Sequence, residues 1–96
     1  MVDFVQDTLL AKRQETHGTF KKNAEISQLI KRIFKKYNSI PGKAEEAGYI
    51  FTNQEQLEAL DMIAVKLSRI LSGKANFKDH WDDIAGYAKL ASDACD

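Results

Sequence analysis

Residues 52–73 have the sequence TNQEQLEALDMIAVKLSRILSG, and this stretch decides the fold. Its apolar residues recur every three or four positions, which is the spacing of an amphipathic helix. Thr52 and Glu55 have the spacing of a capping box, and Gly73 is a residue type that often ends a helix in a left-handed conformation. The stretch therefore predicts a helix that begins at Thr52 and ends at Ser72.

The apolar residues of this helix fill one broad face and part of a second. The broad face holds Leu57, Leu60, Ile63, Ala64, Leu67, Ile70 and Leu71. Met62 and Val65 lie opposite them, where a monomeric bundle exposes polar side chains. Scattered surface apolar residues are normal, so incidental exposure is one interpretation and contact with another subunit is the other. Because a small chain gains stability by association, we expect a homo-oligomer that uses Met62 and Val65.

Gly and Pro residues divide the rest of the chain into three further helical segments. The segments run from about Asp3 to Gln14, from Phe20 to Tyr37 and from Asp79 to Ala94. The core face of the last segment is predicted to hold Trp81, Ile84, Ala88 and Ala91. Pro41 ends the second segment, and residues 43–51 are predicted as a short helical turn or as a loop on the core. No alternating run predicts a strand, so we expect an all-α, compact four-helix bundle.

Length and composition limit the class of protein. A chain of 96 residues is one domain, residues 1–96, without room for separate cofactor and substrate domains. Its 14 basic and 14 acidic residues give a net charge of +0, so we expect no stable binding to duplex nucleic acid. No apolar run could span a membrane, and a single cysteine, Cys95, is typical of a reducing compartment. We therefore expect a cytoplasmic protein without a membrane partner.

Basic and acidic residues are separated along the chain. Residues 21–43 contain seven basic residues and one acid, whereas residues 79–96 contain five acids and one base. Solvated helix faces are the simplest interpretation of such runs. The alternative is a phosphate-attracting surface beside a cation-attracting one, and a nucleotide with its metal ion needs both.

Two sets of carboxylates have the spacing that places them on one face of a helix. Glu58 and Asp61 form the first set, and Asp79 with Asp82 or Asp83 forms the second. Carboxylates three or four residues apart project together, and their oxygens are preferred ligands of Mg²⁺. The sequence thus predicts a Mg²⁺ site, while helix capping by Asp79 and Asp82 is the alternative.

Three blocks of the sequence resemble a small phage and prophage family of uncharacterised function. They are ETHGTFKKN at residues 15–23, ALDMIAVKLSRI at residues 59–70 and DHWDDIAGYAKLA at residues 79–91. The layout is similar to phage nucleotide-modification-associated domains and, more distantly, to the MazG-type all-α nucleoside triphosphate pyrophosphohydrolases. The resemblance implies a ligand-binding set of His17, Lys66, Arg69, His80, Asp83 and Tyr87. It also implies Mg²⁺ ligands at Glu58, Asp61, Asp79 and Asp83, although Asp stands at most of the positions where the enzymes prefer Glu.

This resemblance implies a phage-encoded, nucleotide-binding protein in the host cytoplasm, and it leaves the reaction open. In one hypothesis the protein is a Mg²⁺-dependent pyrophosphohydrolase that acts on a nucleoside triphosphate. In a second, it is a non-catalytic sponge that sequesters a nucleotide signal of host immunity. A third hypothesis is a helical bundle that binds a host protein through the face of Met62 and Val65.

Overall fold

The structure is a computed structural model that describes residues 4–38 and 53–95, and this part of the chain is helical. Its helices are α1 (Phe4–His17), α2 (Phe20–Tyr37), α3 (Gln54–Ser72) and α4 (Lys78–Asp93). None of the described residues lies in a strand. The predicted all-α class is confirmed.

Helix α3 is the common packing partner of the other helices. Both α2 and α4 pack along it, and α1 contacts it less extensively. Leu9 and Leu10 of α1 are exposed, so these two leucines do not close a ring of four helices. Helices α2, α3 and α4 thus form the packed unit of the described chain, and α1 lies at one end of it.

The N-cap of helix α3 lies one residue later than predicted. Asn53 Oδ1 accepts a hydrogen bond from Gln56 N at 2.8 Å, and Gln56 Oε1 accepts one from Asn53 N at 3.1 Å. Asn caps a helix as well as Thr does, so the capping box forms at Asn53 and Gln56 instead of Thr52 and Glu55. Thr52 itself lies outside the described residues, as do Pro41 and the predicted loop at residues 43–51.

The bounds of the other helices differ little from the prediction. Helix α2 has the predicted bounds, and Thr19 caps it by accepting a hydrogen bond from Lys22 N. Helix α1 continues to His17, one turn beyond the predicted end. At the start of α4 the cap residue Phe77 provides no side-chain cap, and Asp82 pairs with Lys78. The capping role considered for Asp82 is therefore replaced by an ion pair within the helix.

The inward face of α4 is rotated relative to the predicted one. The inward stripe holds His80, Ile84, Tyr87 and Ala91. Trp81 is 52% exposed and Ala88 is also exposed, so these two predicted core residues lie outside. Trp81 Nε1 donates to the carbonyl oxygen of Ala75 at 2.7 Å, which places the indole over the connection between α3 and α4. A polar residue, His80, takes the inward position because its ring finds a backbone partner.

The apolar surface is also distributed differently from the prediction. Met62 and Val65 are half-buried, whereas Ile33 and Tyr37 of α2 are exposed. The second apolar face of α3 is thus partly covered by the chain's own helices, and the homo-oligomer stays a prediction. Among the described residues, no helix is both long and apolar enough to cross a membrane.

Candidate functional site

Two glycines bring the connections between the helices into backbone contact. Gly18 has a φ of 77°, and a Cβ placed there would lie 2.7 Å from the carbonyl oxygen of Ser72. Gly73 has a φ of −117°, so the predicted left-handed cap is wrong. Position 73 requires glycine because there is no room for a side chain: a Cβ there would lie 2.4 Å from the carbonyl oxygen of Thr16. The end of α1 is therefore held directly against the end of α3.

His80 fills the space beneath this crossing. Its side chain is 1% exposed, and its Nε2 lies 2.8 Å from the carbonyl oxygen of Thr16. Because a carbonyl only accepts, Nε2 carries a proton and donates it. The ring contacts His17 edge-on at 4.7 Å and Phe77 at 4.8 Å between centroids. This enclosure gives His80 a role in holding α1 against α4.

His17 lies at the same crossing and is surrounded by positive charge. Burial, followed by the positive charge of Arg13, lowers the pKa of His17 from its ordinary value. Its Nδ1 lies 2.5 Å from Thr16 Oγ1. These surroundings therefore favour the neutral form of His17.

Lys66 and Asp83 form an ion pair between α3 and α4. Lys66 Nζ lies 2.9 Å from Asp83 Oδ2, and this hydrogen bond lowers the pKa of Asp83 from its ordinary value. The charge of Asp83 also acts on Arg69. Since Asp83 already neutralises Lys66, Arg69 is the cation of this group that is more available to a ligand.

The predicted Mg²⁺ ligands do not meet. The described residues contain no group of three or more His, Cys, Asp or Glu side chains that could hold a metal ion. Helices α3 and α4 are antiparallel, because Lys66 faces Asp83 while Asn53 reaches Ala94. At 1.5 Å per residue, Asp61 lies about 8 Å and Glu58 about 12 Å along α3 from the level of Asp83.

Asp79, the remaining residue predicted to bind Mg²⁺, lies still further from Glu58 and Asp61 along the helix pair. Asp79 lies one turn before Asp83 on α4 and is exposed. In an antiparallel pair, this turn increases the separation of Asp79 from Glu58 and Asp61. The two predicted carboxylate pairs therefore occupy different levels of the helix pair.

A cavity of about 340 Å³ lies between the first turns of α3 and the end of α4. Two residues of the sequence prediction, Glu58 and Tyr87, line it together with Glu55 and Leu90. Its charged lining is acidic, which does not suit an anionic ligand.

A second cavity, the cationic pocket, has a volume of about 290 Å³ and lies between α1, α2 and α3. Its lining includes three cations, Arg13, Lys31 and Arg69, and no carboxylate. Burial, and next the charge of Arg13, lower the pKa of Arg69 from its ordinary value, although Asp83 acts in the opposite direction. An anion between the two guanidinium groups would relieve this repulsion.

One face of α2 forms a wall of the cationic pocket. Phe20, Ala24, Ser27 and Lys31 follow at steps of four, three and four residues, so they share a helix face. Phe20 is 86% exposed, whereas Ser27 is 6% exposed. The pocket thus has an open aromatic end and a buried hydroxyl-bearing end.

The family to which the chain belongs is shown by comparison. Residues 1–95 match the family model described as a domain of unknown function, DUF6378. The chain is a member of the DUF6378 family. No curated protein and no solved structure has significant similarity to it. The match spans all four helices of this DUF6378 domain and supports the predicted uncharacterised family.

The six residues that the sequence predicts to bind a ligand lie in several different environments of the DUF6378 domain. His17 and His80 share the crossing, Lys66 and Asp83 form an ion pair, and Tyr87 lines the acidic cavity. Arg69 alone among the six lines the cationic pocket.

Sequence reasoning missed several residues of that pocket. They are Leu10, Arg13, Gln14, Ala24, Ser27, Gln28 and Ser68. Lys31 belongs to the basic run of residues 21–43, for which solvated helix faces are the simplest interpretation. One signal in the sequence could have indicated the pocket. A single face of α2 combines small, polar and basic residues, a mixture that is typical neither of a core face nor of a solvated face.

Proposed function

We propose that this DUF6378 protein binds a nucleotide in the cationic pocket. The observation that carries the proposal is a cavity lined by Arg13, Lys31 and Arg69 without a carboxylate. Guanidinium groups donate two parallel hydrogen bonds to a phosphate, and such charge-assisted bonds are strong. In this proposal, Arg13, Lys31 and Arg69 bind the phosphate groups of the nucleotide.

The remaining lining suits the rest of a nucleotide. Leu10, Val65 and the exposed ring of Phe20 supply apolar and aromatic surface beside the cations. Aromatic rings bind bases by stacking, whatever the base. A volume of about 290 Å³ is at the lower end for ligand pockets, which favours one nucleotide unit over a polymer.

Binding without hydrolysis is the form of the proposal that the geometry favours. A MazG-like reaction needs a cluster of carboxylates around Mg²⁺. Glu58, Asp61, Asp79 and Asp83 lie at different levels of α3 and α4, and none of them lines the cationic pocket. The phage origin and the removal of a host immune signal are proposed from the sequence resemblance alone. The cytoplasmic location is proposed from the single cysteine and the lack of a long apolar run in the sequence.

A single substitution tests the assignment of the phosphates. Arg69→Gln is expected to raise the dissociation constant for nucleoside triphosphates at least ten-fold, because one charge-assisted hydrogen bond contributes about 1.5–3 kcal/mol. The matched control is Arg32→Gln, since Arg32 is exposed on α2 and does not line the pocket. Isothermal titration calorimetry with the four common nucleoside triphosphates measures both variants.

Comparison with the Arg32→Gln control also shows which result would contradict binding in the cationic pocket. An equal loss of affinity in Arg69→Gln and Arg32→Gln would mean that the basic surface attracts the ligand without a defined site. Chromatography of the nucleotide after incubation with and without Mg²⁺ separates binding from hydrolysis. We expect intact nucleotide in both samples, and release of pyrophosphate only with Mg²⁺ would support the MazG-like alternative.

A further inference from the structure

One face of α2 combines exposed apolar side chains with positive charge. Leu29, Ile33 and Tyr37 follow one another at steps of four residues, so they share this face, and each is more than half exposed. Lys36 lies three residues after Ile33 on the same face, and its Nζ is 5.3 Å from the centre of the Tyr37 ring. These four residues form the basic apolar face. A contiguous exposed apolar surface of this kind is typical of an interaction site.

The basic apolar face is separate from the cationic pocket. The pocket uses the face of α2 that holds Ser27 and Lys31, and none of the four residues of the basic apolar face lines it. Leu29 lies two residues after Ser27, which is about 200° around the helix. Nucleotide binding in the pocket therefore does not account for the exposed apolar side chains.

The acidic cavity between α3 and α4 has the complementary character. Glu55 and Glu58 are exposed on its lining, and neither forms an ion pair with a cation of the described residues. Tyr87 and Leu90 supply its aromatic and apolar surface, and Leu90 is more than half exposed. Apolar side chains that are bordered by positive charge suit such a cavity.

The acidic cavity is out of reach of the α2 of the same chain, because α2 and α4 each pack along α3, which separates them. The start of α2 meets the end of α3, where Ser72 Oγ lies 2.6 Å from Asn23 Oδ1. Further along α2, Lys31 lines the same cavity as Val65, so the two helices are antiparallel. Tyr37, at the end of α2, therefore lies near the level of the first turns of α3. The basic apolar face and the acidic cavity are thus at the same end of the helical unit.

The distribution of charge favours a second copy of this chain as the occupant of the cavity. Helix α2 carries six basic residues and one acid, whereas the whole chain has a net charge of +0. Two copies therefore do not repel each other as a whole, although each presents a basic and an acidic surface. Surfaces of opposite charge steer association and fix its orientation.

We propose that two copies of this chain form a dimer, in which the basic apolar face of each copy packs into the acidic cavity of the other. Because the face and the cavity lie at the same end of the helical unit, a two-fold symmetric pair forms this contact twice. The interface differs from the one that the sequence predicts at Met62 and Val65. It is independent of the proposed nucleotide binding.

Charge reversal on the two sides of the contact tests the dimer. Sedimentation velocity of the unsubstituted protein at micromolar concentration is expected to give about twice the chain mass of 10.9 kDa. The dimer is expected to weaken as the salt concentration rises, because salt screens exposed charges. Lys36→Glu and Glu58→Lys are each expected to raise the dissociation constant of the dimer at least ten-fold, because like charges then face each other.

A mixture of these two variants is the sharpest sample. In a mixed pair both contacts again join opposite charges, so the dimer is expected to return. Lys12→Glu and Glu15→Lys, at exposed positions of α1, are the matched controls and are expected to dimerise like the unsubstituted protein. The Lys36→Glu variant is also expected to keep its nucleotide affinity, because Lys36 does not line the cationic pocket.

Three results would overturn the inference while leaving the proposed function intact. The first is a monomer of the unsubstituted protein throughout the micromolar range. The second is undiminished dimerisation of both single variants, which would place the contact elsewhere, for example at Met62 and Val65. The third is a mixture that stays monomeric, because the two charges would then not face each other. Loss of nucleotide binding in the unsubstituted dimer would refute the proposed function and leave the interface intact.

Discussion

Gly73→Ala is expected to destabilise the protein by about 3 kcal/mol, a large part of the stability of a small domain. The added Cβ would lie 2.4 Å from the carbonyl oxygen of Thr16 and 2.6 Å from the nitrogen of Gly18. These are backbone atoms of the facing connection, so the two connections must separate. The hydrogen bond from Lys74 N to the Thr16 oxygen, 3.0 Å long, is then lost as well.

Gly86 on α4 provides the matched control. A Cβ added there meets no atom within 4 Å. Gly86→Ala is therefore expected to stabilise the helix by about 0.5–1 kcal/mol, the usual effect of removing a helical glycine. Urea unfolding followed by circular dichroism measures both variants. Equal stability of Gly73→Ala and the unsubstituted protein would mean that the connections do not touch.

His80→Ala is expected to destabilise the protein by about 3 kcal/mol, because an enclosed ring is replaced by a cavity. The Thr16 carbonyl also loses a donor, although Lys74 N still bonds to it. His80→Gln is expected to lose less stability, since its amide group can donate to the same oxygen. Thermal unfolding ranks the three proteins.

The two His80 variants also separate structure from ligand binding. His80 does not line the cationic pocket, so His80→Gln is expected to keep the nucleotide affinity of the unsubstituted protein. A stable His80→Ala protein with weakened binding would reverse this assignment and return His80 to the ligand-binding set implied by the resemblance.

The helices were largely predictable because apolar spacing and capping are local properties of the sequence. The prediction for α2 had both ends correct, since Thr19 caps it and Tyr37 is its last residue. The start of α3 was shifted because Thr52 and Asn53 are both good cap residues and spacing alone does not choose between them. Trp81 was misplaced for a related reason: hydrophobicity alone favoured the inward position that His80 occupies.

The site was less predictable because it depends on how distant segments meet. Arg13 comes from α1, Ser27 and Lys31 from α2 and Arg69 from α3. Their meeting depends on close backbone contact at Gly18 and Gly73, which helical periodicity does not encode. The resemblance instead implied a ligand-binding role for residues that contact each other between helices, such as Lys66 and Asp83.

Chemical shift mapping with a nucleoside triphosphate tests the central claim most directly, since a 10.9 kDa protein gives resolved amide spectra. Titration is expected to shift the backbone amide signals of the cationic pocket, at Gly18, Asn23, Ser27 and Ser68, in proportion to occupancy. The amides of the acidic cavity, at Glu55, Glu58 and Leu90, are expected to stay in place. Saturable shifts confined to the acidic cavity, or an unchanged spectrum at millimolar nucleotide, would contradict the account.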